Sequence, residues 1–209
     1  MKHAVIIAHP NADSLTCTVG RAYAAHVKLL GQEVIVRDLY RLGFDPCLKA
    51  SEIPKASGFQ FGDDVVAERK LLADVDAFAF VYPFWFNAPP AMLKGYVDRV
   101  FSMGFGYEPG LAGTEPLLEG KRLISFTSSG APEQWVRETG AMQALMALFD
   151  RHVAAMCGLQ MVDHVHVGGV VSNMTEEAVE DVLAGVRRAV DAHFGDLARR
   201  NQQSLRSHT

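Results

Sequence analysis

Apolar residues follow two rhythms along this chain. The runs KHAVIIA (2–8), EVIVRDL (33–39), AFAFVYP (77–83), RLISFTS (122–128) and MVDHVHV (161–167) are too short for helices, and they stop at turn-forming or polar residues. Runs of that kind are expected of strands buried on both faces of a parallel sheet. Between Thr16 and Leu30 the pattern changes: Val19, Ala22, Tyr23, His26, Val27 and Leu30 recur at helical spacing, and Gly31 stands where a left-handed residue would end the helix. Comparable patterns predict helices over about 64–73, from Pro90 onward, over 142–157 before Gly158, and from an Asn173 or Thr175 cap to about Arg199, with Glu176 and Glu177 in its first turn. Tyr40 to Gly62 shows little periodicity and reads as a long irregular connection of the kind that often serves function.

Five strands alternating with five helices predict a three-layer α/β domain, an open parallel sheet with helices on both faces, and right-handed crossovers leave few topologies. The expected strand order is 2-1-3-4-5. Ligands of such sheets bind beyond the carboxyl ends of the strands, at the switch point between strands one and three. The loops that meet there begin at His9, Pro83 and Ser128.

Composition narrows the setting. With 209 residues, 49% of them hydrophobic, the chain can bury one core without staples, so a single domain over 1–209 is expected, with a polar tail from about Asn201. A net charge of −4 offers no basic field for nucleic acid. Only five apolar residues follow His3, too few for a secretory segment, and no run reaches membrane-spanning length, so a cytoplasmic protein is expected. Cys17, Cys47 and Cys157 are odd in number and far apart, and are read as packing residues.

The three loops carry the candidate chemistry. HPNADSLT sets Asn11, Asp13, Ser14 and Thr16 before a helix N-terminus, where free N–H groups favour a phosphate; Ser14 could equally be a plain cap. No GxGxxG or GxxxxGK[ST] is present, so dinucleotide and P-loop sites are disfavoured. Phe84, Trp85 and Phe86 offer rings to a flat heteroaromatic ligand, or a hydrophobic plug or dimer contact. TSSGAPEQW adds the hydroxyls of Thr127, Ser128 and Ser129, a flexible Gly130 and the ring of Trp135.

In this order, H-x4-S-x-T, then YPFWFNAPPAMLKGYVDRVF, then SFTSSG, the chain resembles the flavin-dependent NAD(P)H:quinone reductases, the DT-diaphorase-like family of flavodoxin-like folds, from about His3 to Gly168. The resemblance implies flavin phosphates near His9, Ser14, Leu15 and Thr16, and an isoalloxazine along Pro83, Phe84, Trp85, Phe86 and Asn87 and along Thr127, Ser128, Ser129 and Gly130. It implies NAD(P)H as co-substrate, a quinone-like acceptor, ping-pong hydride transfer and a homodimer. Lys94, Asp98 and Arg99 then read as structural or surface charges. The family's Tyr and His after the fourth strand fall here on Trp135 and Ala141; Trp135 can stack on substrate but cannot relay a proton. FAD is expected over FMN, although the family's adenine-side arginine is not evident near Val179.

Other classes fit less well. A flavodoxin-like electron carrier would suit an acidic docking face better than these nearly uncharged loops, whereas a role as regulatory partner of a membrane transporter can coexist with enzyme activity. A hydrolase built on Ser128 or Ser129 lacks the GxSxG elbow. His164 and His166 share a strand face as a metal pair would, but with no carboxylate or Cys partner nearby they are read as structural, and His26 and His152 as helix-face residues. GFGY (104–107) is either a cover over the flavin or an ordinary turn.

Overall fold

Each of the five apolar runs forms a strand. The computed structural model describes residues 1–55, 58–111 and 113–195. In it β1 (Lys2–Ile7), β2 (Glu33–Asp38), β3 (Ala77–Pro83), β6 (Arg122–Ser128) and β7 (Gln160–Val167) lie parallel in the order β2-β1-β3-β6-β7. This is the expected topology with two strand numbers advanced, because an antiparallel pair, β4 (Tyr107–Gly110) and β5 (Gly113–Pro116), intervenes. Four-residue strands containing Pro and Gly carry no readable alternation.

The helices are α1 (Leu15–Leu29), α2 (Asp63–Leu72), α3 (Ala91–Val100), α4 (Glu133–Glu138), α5 (Ala141–Leu145), α6 (Arg151–Cys157) and α7 (Glu176–Val190). Their ends follow local chemistry. Ser14 and Thr175 cap α1 and α7 by accepting the N–H groups of Cys17 and Ala178, and Gly31 is left-handed just past α1, with φ 72°. The helix expected over 142–157 forms without a gap as α5, a π-helical turn at Met146–Asp150 and α6, and the unanticipated α4 precedes it across Gly140, with φ 73°. The last helix continues through a π-helical turn at Asp191–Gly195; its expected extension to Arg199 and the tail from Asn201 lie outside the described residues.

Alternation along the strands divides the core. Val5, Ile7, Ala79, Val81, Ile124 and Phe126 face α1 and α7, whereas Ala4, Ile6, Phe78, Phe80 and Tyr82 face the side covered by α3, α5 and α6. Each large apolar side chain buried this way contributes roughly 1.5–3 kcal/mol. Cys17 and Cys157 are buried as expected, but Cys47 is exposed and packs into nothing. Lys94 pairs with Asp98 on the surface of α3 at 2.6 Å. Arg99, one turn away, is 1% exposed and gathers the irregular segment: its guanidinium donates to Glu52 at 2.7 and 2.9 Å, to Asp64 at 2.6 and 2.9 Å, and to the Asp45 carbonyl at 2.6 Å. A buried ion cluster, together with Phe44 packed against Tyr96 in the core, thus fastens the connection from Tyr40 to Gly62. Among the described residues no helix is long and apolar enough to cross a membrane.

At the opposite end of the sheet from the three loops, His3 is buried between the Tyr23 hydroxyl (2.8 Å) and the Gln32 side-chain oxygen (2.7 Å). Burial pushes its pKa from 6.5 down to about 4. Because the folded pKa lies below the unfolded one, the neutral imidazole stabilises the fold above pH 6.5, and that contribution is lost as pH falls toward 4. We expect urea midpoints to fall between pH 7 and 4.5 by up to about 3 kcal/mol of stability, and His3→Gln to flatten the slope. Equal slopes in both proteins would remove His3 from the acid response.

Candidate functional site

β1, β3 and β6 end side by side, and the loops that leave them enclose a cavity of about 160 Å³ lined by His9, Ser14, Leu15, Thr16, Pro83, Trp85, Ser128, Ser129, Gly130 and Val170. This is the switch point of the sheet, where β1 feeds α1 on one face and β3 feeds α3 on the other.

The first wall is the start of α1. Ser14 Oγ accepts from Cys17 N–H at 3.2 Å, which leaves the hydroxyl proton free to donate, and Thr16 Oγ1 lies 3.2 Å from Ser128 Oγ. The amides of Leu15 and Thr16 have no partner among the described residues, as expected in the first turn of a helix, where free N–H groups favour an anion. His9 Nδ1 lies 3.1 Å from the Asn11 N–H; with that bond accepted, the neutral ring offers its Nε2–H, and burial holds its pKa below the usual value. Arg41, which sequence reasoning did not single out, donates to the carbonyls of His9 and Pro10 and sets a positive charge behind this wall. An arginine in an aperiodic segment carries no signal until the loop it tethers is known.

The second wall is a strained turn. Phe84 is buried and its N–H donates to the Ser128 carbonyl at 2.7 Å. Phe86 and Asn87 are both left-handed, with φ 50° and 55°, a conformation costing of order 1–3 kcal/mol for such residues that persists where surroundings impose it, often at functional sites. The amides of Phe86 and Asn87 are left without partners among the described residues. Trp85 packs beside His9, ring centroids 5.5 Å apart, whereas the Phe86 ring is fully exposed and neither it nor Asn87 lines the cavity.

The third wall is the loop after β6. Ser129 is fixed by its N–H to the Val167 carbonyl and its carbonyl to the Val170 N–H, both 2.9 Å. At Gly130 a side chain would enter nearly open space, with only the Val170 carbonyl at 3.7 Å. Thr127 differs from the expectation that its hydroxyl faces a ligand here: Oγ1 is held between His164 Nε2 (2.7 Å) and His166 Nδ1 (2.9 Å) on the far side of the sheet edge. Trp135 lies half-exposed on α4 and lines neither this cavity nor its neighbour, and Ala141 is buried.

The histidines are not without a carboxylate. His164 Nδ1 lies 2.5 Å from Asp150 of the π-helical turn, a buried residue fourteen positions earlier that alternation along a strand could not reveal. Of the other two, His26 bonds Asp191 at 2.8 Å and His152 is exposed on α6. The GFGY segment is a packed turn: Phe105 is buried, and a side chain at Gly106 would strike the Phe101 carbonyl.

Comparison with known proteins agrees with this geometry. A model of the flavodoxin-like fold family matches residues 1–193. An NAD(P)H oxidoreductase of Haemophilus influenzae is 32% identical over 174 residues, covering 81% of this chain and 85% of that protein. NAD(P)H dehydrogenase [quinone] 1 of Rattus norvegicus is 27% identical over 207 residues, covering 90% and 75%. Among solved structures, an NAD(P)H:quinone oxidoreductase from Methanothermobacter marburgensis superposes with a TM-score of 0.78 at 27% identity, covering 92% of this chain and 96% of its own. With a match that spans nearly the whole chain and a sheet of the same order, this protein belongs to the flavodoxin-like fold family.

Proposed function

We propose that this protein is a flavin-dependent NAD(P)H oxidoreductase that reduces quinones or similar acceptors by two electrons, as a single-domain homodimer carrying FAD. The observation that carries the reading is the convergence of three loops on one cavity at the switch point, with donors suited to phosphate on one wall, the Trp85 ring on the second and the free amide of Gly130 on the third.

The donor set fits a flavin. Hydroxyls of Ser14 and Thr16 and the amides of Leu15 and Thr16 would hold phosphate at the α1 N-terminus without an opposing carboxylate in the cavity lining. Free amides at Phe86, Asn87 and Gly130 suit the polar edge of a flat ring, and the open face of Gly130 permits close approach. When bound, the flavin supplies the two-electron store that takes hydride from the nicotinamide and yields it to the acceptor. The chain's own part is to orient the ring through the rigid left-handed turn and to place partner molecules over it. The exposed Phe86 ring supports the dimer, since a second copy would cover it.

The test is the absorbance spectrum of the purified protein, before and after incubation with FAD or FMN. A flavin band that NAD(P)H bleaches and a quinone restores is expected, with FAD identified by chromatography after heat release. No flavin retained from either cofactor would overturn the proposal.

A further inference from the structure

Two-electron reduction of a quinone consumes a proton as well as a hydride: NAD(P)H gives up hydride and becomes NAD(P)⁺, and the quinone takes that hydride with one proton from elsewhere to become a hydroquinone. We propose that a line of side chains, Asp150, His164, Thr127, His166 and Ser129, supplies that proton to the site, with Ser129 Oγ as the delivering atom. The inference rests on the proposed reductase activity.

Every link has hydrogen-bond geometry: Asp150 Oδ2 to His164 Nδ1, 2.5 Å; His164 Nε2 to Thr127 Oγ1, 2.7 Å; Thr127 Oγ1 to His166 Nδ1, 2.9 Å; His166 Nε2 to Ser129 Oγ, 3.0 Å. Ser129 Oγ lies 3.0 Å from the Ala131 carbonyl, and Ser129 lines the cavity of the three loops.

The line has two complete arrangements that differ by one proton. In the charged one, His164 holds protons on both nitrogens against the Asp150 carboxylate and donates to Thr127; Thr127 donates to His166 Nδ1, His166 Nε2–H to Ser129, and Ser129 to the Ala131 carbonyl. When Ser129 gives its proton to an acceptor in the site, it takes the His166 Nε2 proton. His166 then takes the Thr127 proton at Nδ1, and Thr127 takes the Nε2 proton of His164. The three bonds between His164 Nε2 and Ser129 Oγ are now reversed, His164 and His166 are neutral, and Asp150 still accepts from His164 Nδ1–H. One proton has left, and the Ala131 carbonyl gives up the Ser129 donor until the line is reloaded.

The surroundings suit this traffic. Asp150 also lies within reach of the Ser125 (2.9 Å) and Tyr82 (3.4 Å) hydroxyls, so its buried charge is met from β6 and β3 as well as from β7. The ring edge of Phe84 closes one side of His166, with centroids 5.8 Å apart. Asp163, beside His164 in sequence, turns away to His193 at 3.1 Å. A second cavity, about 180 Å³, is lined by Glu133, Arg137, Gln143, His164 and His166 among others. Glu133 and Arg137 are paired there, so neither charge is left single against the imidazoles. Burial and the neighbouring His164 hold the His166 pKa down at about 4, so near neutral pH this ring passes a proton on rather than keeping it.

Thr127→Val cuts the line at its centre with little change of shape, and Thr127→Ser restores the hydroxyl. We expect Thr127→Val to retain flavin while quinone turnover falls about a hundredfold and its solvent deuterium effect changes, and Thr127→Ser to recover both. In flavin-free protein, imidazole NMR should show His164 and His166 titrating as one coupled pair, and independently in Thr127→Val. Should Thr127→Val not fold, Ser129→Ala reads the same line at its delivering end, with turnover lost and the coupled titration kept. Turnover within about threefold of wild type in whichever variant folds, or uncoupled imidazoles in the wild type, would overturn the proton line. A wild-type protein that binds flavin yet reduces no quinone would overturn the proposed function itself and take this role with it.

Discussion

A Ser14→Glu protein is expected to purify folded and without flavin. Ser14 does two things at the start of α1: its oxygen accepts the Cys17 N–H, and its hydroxyl proton stays available to an anion in the cavity. A glutamate keeps an oxygen that can cap the helix and is favoured by the helix dipole, so the fold loses no more than about 1 kcal/mol. It also sets a carboxylate where a phosphate would sit. Two like charges about 4 Å apart in a partly buried site repel by about 4 kcal/mol, close to a thousandfold in affinity. Ser14→Ala separates the roles, because it weakens the cap but adds no charge and should keep most of the flavin. The check is the flavin-to-protein absorbance ratio of both variants, with circular dichroism for the fold. A full flavin complement in Ser14→Glu would place the phosphate elsewhere.

The largest effect on stability is expected at Arg99, which lines none of the three-loop cavity. Replacing it with Met leaves Glu52, whose side chain has no solvent-exposed surface, without the guanidinium that neutralises it. Breaking a buried pair from one side costs about 3–5 kcal/mol, here a fall of about 10 °C in Tm. The loss should depend on pH. The Arg99 guanidinium holds the Glu52 carboxyl at about 2 against an ordinary 4.5. The folded pKa is the lower one, so the ionised pair stabilises fully above pH 4.5 and progressively less as pH falls toward 2. Asp64 is lowered by the same arginine, but nearly half its side chain is in water and solvent screens its share. Thermal melts at pH 7 and pH 3 should therefore show the gap between wild type and Arg99→Met narrowing in acid. An equal gap at both values would mean that packing, not charge, carries the cost.

Much of this was readable in the chain, for reasons that differ by element. The central strands β1, β3 and β6 were legible because they are buried on both faces and so are mostly apolar, the half-buried edge strands β2 and β7 because their apolar runs are too short for helices, and the loops that line the cavity followed from the topology those strands allow. Gly31 and Thr175 were legible because a helix end needs a particular local chemistry. The β4–β5 pair was not, since four residues with proline and glycine show no period. Nor were α4, six residues too short to show a helical period, and the π-helical turn inside the helix read over 142–157, where the apolar pattern runs on unchanged. Within the site, His9, Ser14 and Thr16 stand where the spacing put them. Thr127 does not direct its hydroxyl there, because residues 125 and 127 share the strand face that looks toward Asp150 and the imidazoles. Asp150 was invisible for the opposite reason: one acidic residue in a helical pattern reads as surface until the strand beneath it is known.

The π-helical turn at Met146–Asp150 has a consequence for chain length. A turn of this kind holds one residue more than an α-helical turn. Removing a single residue from it, such as the exposed Leu148, would restore an unbroken helix and rotate everything on one side of the cut by roughly 100° about the axis. Asp150 would then turn away from the sheet, while the helix lost only an exposed side chain. A one-residue gap in an alignment here is therefore a change of chemistry, and relatives that differ only by that gap need a different counter-charge for whatever stands at position 164.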